Sequence, residues 1–436
     1  MAGHLCGARR RDRAVTLLAA VLLLVGGAAA VLIGPSAQAR GNAADSGPVY
    51  PLGASVTQFQ GLAFDTCETP TLATMDAWRS SEYRAIGVYL SGENRGCKQN
   101  NLSADWVARV SSWGWRLLPI DLGLQAPCRD NSRKKPIQVE RARSQGATEA
   151  DHAVSAAQAL GLRPGSAIYA DMESYRVGAP DCARAVGQYL SGWSSGLHRH
   201  GYLSGMYGNL NSGVADAAAR YASPDYTRID AVWVGHWDGT TRMTGWRGVG
   251  DNRWPGHQRA KQFRGDHVET HGGVTMKIDS DYLDAPVATV APLFQITGRR
   301  PVAHHAPNLA SPRAGSLPTG GIAHVVCQIR ARDGQVWDEL TAGSWLVDQE
   351  LAAGVAKLLP DCAYPQSVIA PAGAVARMGP GFGNRAGGTL PLGALAWVSC
   401  RDIARPGWLR LPDGFWVDAD NLGAGARATR ALPICA

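Results

Sequence analysis

Between Thr57 and Asp284 eight short β-prone runs recur, and helix-like segments separate the first five of them. The runs are Gly61–Asp65, Ala85–Leu90, Trp115–Asp121, Ser166–Met172, Tyr202–Tyr207, Ala231–His236, Ala260–Phe263 and Thr275–Asp281. The intervening helices are expected over Thr69–Tyr83, Ser103–Trp113, Glu140–Leu160 and Asp181–His200. Such alternation predicts parallel βαβ units. Eight of them predict an α/β fold, a TIM-type barrel over 57–284. Little helix separates the last three strands, so an incomplete helical ring is expected.

The fourth run ends in Asp171 and Glu173. Residues i and i+2 of a strand share a face, so both acids point one way while Ala170 and Met172 point the other. Barrel chemistry sits at the C-terminal strand ends, and those ends carry Asp65, Asp121, Asp171 with Glu173, and Asp279 with Asp281. One acid alone reads equally well as a helix cap, as Asp65 would before Thr69-Pro70. Several together are what glycoside hydrolysis needs: one carboxyl donates to the leaving oxygen while a carboxylate stabilises or attacks the oxocarbenium-like centre. Two acids on one strand oppose each other's ionisation, so one pKa should rise. Glu173, with the longer reach, is the expected acid, Asp171 its orienting partner, and Asp65 and Asp279 shape the opposite side. Tyr89, Asn94, Arg95, Gln125, Tyr175, Tyr207, Trp233 and Asp281 are the expected sugar-holding groups, with barrel packing the competing reading for the aromatics. The acid pair would also suit a cation. The histidines, however, show no ligand spacing: His198 and His200 lie at a helix end and His304 and His305 in a separate segment. No metal and no cofactor is expected.

The N-terminus carries Arg9, Arg10, Arg11 and Arg13, an apolar run from Ala14 to Ile33, and Ala37-Gln-Ala39. This is the pattern of an export signal over 1–39, with an uncleaved membrane anchor as the alternative. A small polar lead-in, 40–56, follows. The formal charge is +7, and four arginines and one aspartate of that first stretch leave +4 elsewhere. With no basic run and no basic-aromatic interleaving, nucleic acid is not an expected partner. Past the signal stand Cys67, Cys97, Cys128, Cys182, Cys327, Cys362, Cys400 and Cys435, with no C-x-x-C among them. An even count behind an export signal implies disulfides and an extracytoplasmic protein. Cys67, Cys97, Cys128 and Cys182 follow the first four strands, and three connectivities are open to them.

After a linker at 285–300 the chain repeats itself at an offset of 73 residues. Leu317-Pro-Thr-Gly-Gly-Ile-Ala-His-Val-Val-Cys327 parallels Leu390-Pro-Leu-Gly-Ala-Leu-Ala-Trp-Val-Ser-Cys400, and Leu358-Leu-Pro-Asp-Cys362 parallels Ala431-Leu-Pro-Ile-Cys435. Trp337 and Trp345 match Trp408 and Trp416. Each copy, 301–365 and 374–436, reads as a small all-β barrel. The simplest pairing is one disulfide per copy, Cys327–Cys362 and Cys400–Cys435. The stretch Ala376-Arg-Met-Gly-Pro-Gly-Phe-Gly-Asn with Gly388-Thr-Leu-Pro-Leu-Gly-Ala resembles the opening of bacterial SH3 domains, so two SH3-like barrels are expected.

Phe64-Asp-Thr-Cys-Glu-Thr-Pro, Gly87-Val-Tyr-Leu-Ser-Gly-Glu-Asn-Arg-Gly-Cys, Leu124-Gln-Ala-Pro-Cys, Ile168-Tyr-Ala-Asp-Met-Glu-Ser-Tyr and Asp279-Ser-Asp-Tyr together resemble a secreted actinobacterial glycoside-hydrolase-like domain. That domain is a TIM barrel similar to the Chalaropsis-type lysozymes of glycoside hydrolase family 25. The resemblance spans about Gln60–Leu283. It implies an acidic site at Asp65, Asp171, Glu173 and Asp279, and a partner that is peptidoglycan or another wall glycan. Asp121 departs from it, standing where an apolar or aromatic residue is expected. The resulting expectation is an exported cell-envelope glycoside hydrolase. A carbohydrate-binding protein that keeps the barrel without turnover is the competing reading, and a surface scaffold is a third.

Overall fold

The computed structural model describes residues 56–129, 134–331, 334–341, 343–352, 359, 362–390, 395–411, 414–423, 432 and 435. All of them belong to one compact unit, Asp45–Ala436. The export signal and most of the lead-in lie outside the described residues. No described helix is long and apolar enough to cross a membrane.

Eight strands close into a barrel in sequence order: β1 (Gln58–Asp65), β2 (Ala85–Ser91), β3 (Arg116–Asp121), β4 (Ala167–Met172), β5 (Leu203–Asn209), β6 (Ala231–Gly235), β7 (Arg259–His271) and β8 (Val274–Pro286). Five helices lie among the first six strands: α1 (Leu72–Ala77), α2 (Ala104–Ser112), α3 (Ala142–Ala159), α4 (Pro180–Arg199) and α5 (Gly213–Ala219). No described helix lies between β6 and β8, which leaves the ring incomplete. The expectation of parallel units throughout needs one correction. β8 runs antiparallel to both β7 and β1. Between His271 and Val274 stand only Gly272 and Gly273, both at positive φ. Two such residues make a hairpin turn and leave no chain for a parallel crossover.

Local chemistry fixes the helices. Thr71 accepts from the Thr74 amide and Ser103 from the Trp106 amide, so α1 and α2 each start on a side-chain cap. α3 and α4 approach until a Cβ on Gly146 would stand 1.9 Å from the Tyr189 carbonyl oxygen, and one on Gly192 the same distance from that of Arg143. Two hydrophobic layers result. The outer, between strands and helices, includes Phe64, Trp78, Trp115, Ile168, Met172 and Trp193. The inner fills the lumen with small residues such as Ala63, Ala85, Ala167 and Ala231 around Leu118, Leu203, Leu283 and Tyr169. The Tyr169 ring crosses against Gly205, where a Cβ would come within 2.3 Å of it. An apolar floor beneath the mouth keeps water out and raises the energetic weight of any charge placed above it.

The sequence repeat becomes a structural repeat. The first sheet comprises β9 (Leu293–Gln295), β10 (Val302–His304), β11 (Arg313–Ser316), β12 (Ile322–Arg330), β13 (Val336–Leu340) and β14 (Trp345–Val347), ordered β11-β10-β14-β13-β12-β9. The second module comprises β15 (Tyr364–Ser367), β16 (Ala374–Arg377), β17 (Ala386–Leu390), β18 (Leu395–Val398), β19 (Cys400–Arg401), β20 (Trp408–Arg410) and β21 (Trp416–Asp418). It is ordered β17-β16-β21-β20-β19, with β15 on β18. The segment 285–300, read as a linker, holds the end of β8 and contributes β9 to the first sheet. Trp337, Trp345 and Trp408 are buried, as cores this small require. The modules rest against the base of the barrel, where Arg163 Nη1 donates to the Val326 carbonyl at 3.3 Å and Trp397 covers Gly201.

Candidate active site

The lumen-facing side of β4 carries Ala167, Tyr169 and then Asp171, while Glu173 follows one residue beyond the strand. Asp65 ends β1, and its register partner on the antiparallel β8 is Asp279. Asp281 lies one step deeper on the same face, opposite Ala63 and Gln262. Because β8 is reversed, these two acids come from its middle rather than from a C-terminal end. A Cβ on Gly87 would stand 2.6 Å from the Asp65 Cβ, so this glycine on β2 makes room for the acid.

Gln262 ties the cluster together. Its Nε2 donates to Asp65 Oδ2 at 2.7 Å and to Asp279 Oδ2 at 3.4 Å. Its Oε1 accepts from Tyr207 Oη and from Trp237 Nε1, each at 2.9 Å. Trp233 Nε1 donates to Asp281 Oδ1 at 3.0 Å, and Asp281 lies beside Asp65. The Asp266 amide donates to Asp279. Burial, helped by the charge of Asp279, pushes the Asp65 carboxyl up to about 7. Burial, then the nearby Asp65, lifts Asp281 well above the carboxylate range. Burial, then Glu173 and Asp65, does the same to Asp171. Asp171 Oδ1 has no hydrogen-bond partner among the described residues. Asp171 is thus a raised carboxyl of the β4 pair.

Glu173 occupies the rim. Its side chain is 40% exposed, and Arg129 Nη2 lies 3.5 Å from Oε2. Gln125 fixes its backbone: Oε1 accepts from the Glu173 amide at 3.0 Å, and Nε2 donates to the Asp171 carbonyl at 2.7 Å. Outward from Glu173 opens a cleft of about 370 Å³, lined also by Tyr207, Asn209, Asn211, His236 and Trp237. The Trp237 indole is mostly exposed and lies over Gly265, where a Cβ would come within 2.3 Å of the ring.

The expected sugar-holding residues divide. Tyr207 lines the cleft, and Tyr89 packs against the lumen cluster near the acids. Gln125 positions the β4 end rather than facing the cleft. Trp233 is buried on Asp281. Asn94 is used up by the loop, bonded to the Gly123 and Lys135 carbonyls and to the Lys135 amide. Arg95 donates to the carbonyls of Tyr89 and Leu90. Tyr175 is buried in the outer layer, its hydroxyl 2.6 Å from Asp216 Oδ2. Asp121 faces away from the lumen, buried against Ser91 and Glu149. Gln262, Arg129 and Gly265 were not singled out from the sequence. Gln262 stands two residues after Ala260 on a lumen-facing strand, a polar side chain in an apolar column, and that was the available signal.

Four disulfides hold the molecule: Cys67–Cys97, Cys128–Cys182, Cys327–Cys362 and Cys400–Cys435. The first two join neighbouring loops at the mouth, resolving the three open connectivities, and four disulfides are the chemistry of an oxidising compartment. One grouping of metal-ligating types among the described residues, Cys327 and Cys362 with Glu339, is occupied by a disulfide.

A barrel with clustered acids at its mouth defines the class, and the comparisons place it. Residues 76–283 match the family described as Rv2525c-like, glycoside hydrolase-like domain. Over these residues the barrel is similar to the glycoside-hydrolase-like domain of that family. Among solved structures, an uncharacterized protein of B. stearothermophilus shares 18% identity at a TM-score of 0.37, covering 52% of this chain and 99% of its own. The spore cortex lytic enzyme SleM of Clostridium perfringens shares 11% at 0.34, covering 66% of this chain and 95% of its own. The modular autolysin LytC of Streptococcus pneumoniae shares 10% at 0.32, covering 51% of this chain and 46% of its own. No curated protein matches the chain.

Proposed function

We propose that this protein is an exported glycoside hydrolase that cuts peptidoglycan or a related wall glycan at the barrel mouth, with the two C-terminal modules acting as SH3-like wall-attachment units. The observation that carries the reading is the convergence of Asp65, Asp171, Asp279 and Asp281 beneath a rim carboxyl, Glu173, that opens onto a cleft. Glu173 is the acid with access to a glycosidic oxygen. Asp171, held neutral by burial, adjoins it as a proton-bearing partner. Asp65, fixed by Gln262, faces the same space and would answer positive charge developing at the anomeric carbon. Tyr207 and Trp237 offer ring faces to a sugar. The four disulfides and the N-terminal signal pattern support an extracytoplasmic site of action.

The test is to incubate the purified protein with isolated cell walls and identify soluble fragments by mass spectrometry. New reducing ends at one type of glycosidic bond are expected. Walls that pellet with the protein and release no fragments would support the non-catalytic carbohydrate-binding reading instead.

A further inference from the structure

The other end of the barrel carries a second cavity. The turn after α1 brings Arg79, Ser80 and Arg84 to the start of β2, and Trp113-Gly114-Trp115 leads from α2 into β3. Gly114 takes φ +96°, which lets the chain reverse between the two tryptophans. These residues line a cavity of about 380 Å³. Both β2 and β3 begin here, so it lies at the base of the barrel, opposite the acids.

Its chemistry is the reverse of the mouth's. Arg84 Nη1 is engaged by the Ser81 and Tyr83 carbonyls, and Arg79 Nη1 by Asp76 Oδ1. The remaining N–H groups of both guanidiniums have no hydrogen-bond partner among the described residues. The Arg79 guanidinium stands 5.8 Å from the Trp113 ring centroid, which orients it beside a half-buried indole face. Trp115 is 2% exposed, and its Nε1–H, a donor only, has no hydrogen-bond partner among the described residues. Arg79 and Arg84 are both exposed, so their remaining N–H groups are open to a ligand in the cavity. Two guanidiniums at one cavity make it electropositive, which suits an anion.

We propose that this basal cavity binds an anionic group, a phosphate ester or a carboxylate, attached to a sugar ring that packs on Trp113. Its ligand would be a negatively charged polymer segment distinct from the glycan at the mouth, where no guanidinium pair lines the cleft. The inference does not depend on the hydrolytic reading.

Isothermal titration of the full chain at fixed ionic strength tests it. The probes are glucose 1-phosphate, methyl glucuronide and uncharged methyl glucoside. Binding of at least one charged probe is expected, with methyl glucoside silent; which one binds separates a phosphate-bearing polymer from a uronic-acid polymer. Arg79→Ala, which removes an exposed contact to Asp76 and the stacking on Trp113, should weaken binding at least tenfold. Arg84→Ala should do the same, and Trp113→Leu should weaken binding of the ring-bearing probe. Glu173→Gln should leave the affinity unchanged. Absence of binding by either charged probe, equal affinity in the arginine variants, or loss in Glu173→Gln would each overturn the proposal.

Discussion

Gln262 Nε2 donates to Asp65 Oδ2 at 2.7 Å, a bond that spans β8 and joins β7 to β1 at the barrel mouth. The same amide accepts from Tyr207 and Trp237. A ring exposed to substrate is therefore two hydrogen bonds away from a buried acid.

Removing that amide should disable the site without unfolding the barrel. Gln262→Leu leaves Asp65, Tyr207 and Trp237 each short of a partner, a loss of about 1–3 kcal/mol for buried Asp65 and less for exposed Trp237. The expected result is a fall in kcat of roughly ten- to a hundredfold with the far-ultraviolet circular dichroism unchanged. Gln262→Glu should be worse, because it adds a carboxylate to a cluster that already resists ionisation.

Trp237 makes a separable contribution. Gly265→Ala places a methyl group where the indole now lies, and Trp237→Ala deletes the ring. Both should raise KM several-fold with a smaller change in kcat, the signature of a contact made equally in ground and transition states. Steady-state kinetics on a soluble glycan fragment separate the two parameters.

Stability should fall as pH rises. Burial holds Asp121 and Glu149 above their ordinary carboxyl values of 3.8 and 4.5, and the two face each other, Tyr189 of α4, Ser91 of β2, Arg95, Glu93 and His152. The folded protein thus binds their protons more tightly than the unfolded chain does. Stability from this pair is complete below about pH 4 and is lost as pH climbs through the folded values. Asp65, raised to about 7, and Asp171 slope the same way. Urea midpoints at pH 5 and pH 8 should show the drop, and Asp121→Asn with Glu149→Gln should flatten it.

Much of this arrangement is visible in the sequence because strand periodicity speaks directly. Asp171 and Glu173 declare a shared face by spacing alone, and Asp65 ends its strand as expected. The reversal of β8 was not read, although Gly272-Gly273 between two extended runs is a hairpin signal; eight alternating elements favoured the parallel interpretation. Asn94, Arg95 and Tyr175 follow strand ends as a binding residue would. Their hydrogen bonds to Lys135, Leu90 and Asp216 are set by tertiary contacts that position along the chain does not reveal. The raised pKa of Asp171 has the same origin, because its depth in the lumen is a tertiary fact that position along the chain does not reveal.

The Cys128–Cys182 bridge should matter to activity and not only to stability. It pins the residue beside Arg129, whose guanidinium meets Glu173. Cys128→Ser with Cys182→Ser should cost about 2–4 kcal/mol and also lower turnover. The matching change at Cys400 and Cys435 should lower stability and leave turnover by the barrel intact. Thermal melts and fragment release on both variants make the comparison.

In the proposed function Glu173 is the carboxyl that reaches the glycosidic oxygen. The direct measurement is reducing-end release from cell walls by the parent chain and by Glu173→Gln, with wall binding followed in parallel. Turnover falling by about a thousandfold or more with binding retained is the predicted result. Turnover that persists in Glu173→Gln would contradict the assignment and move the chemistry to another group of the cluster.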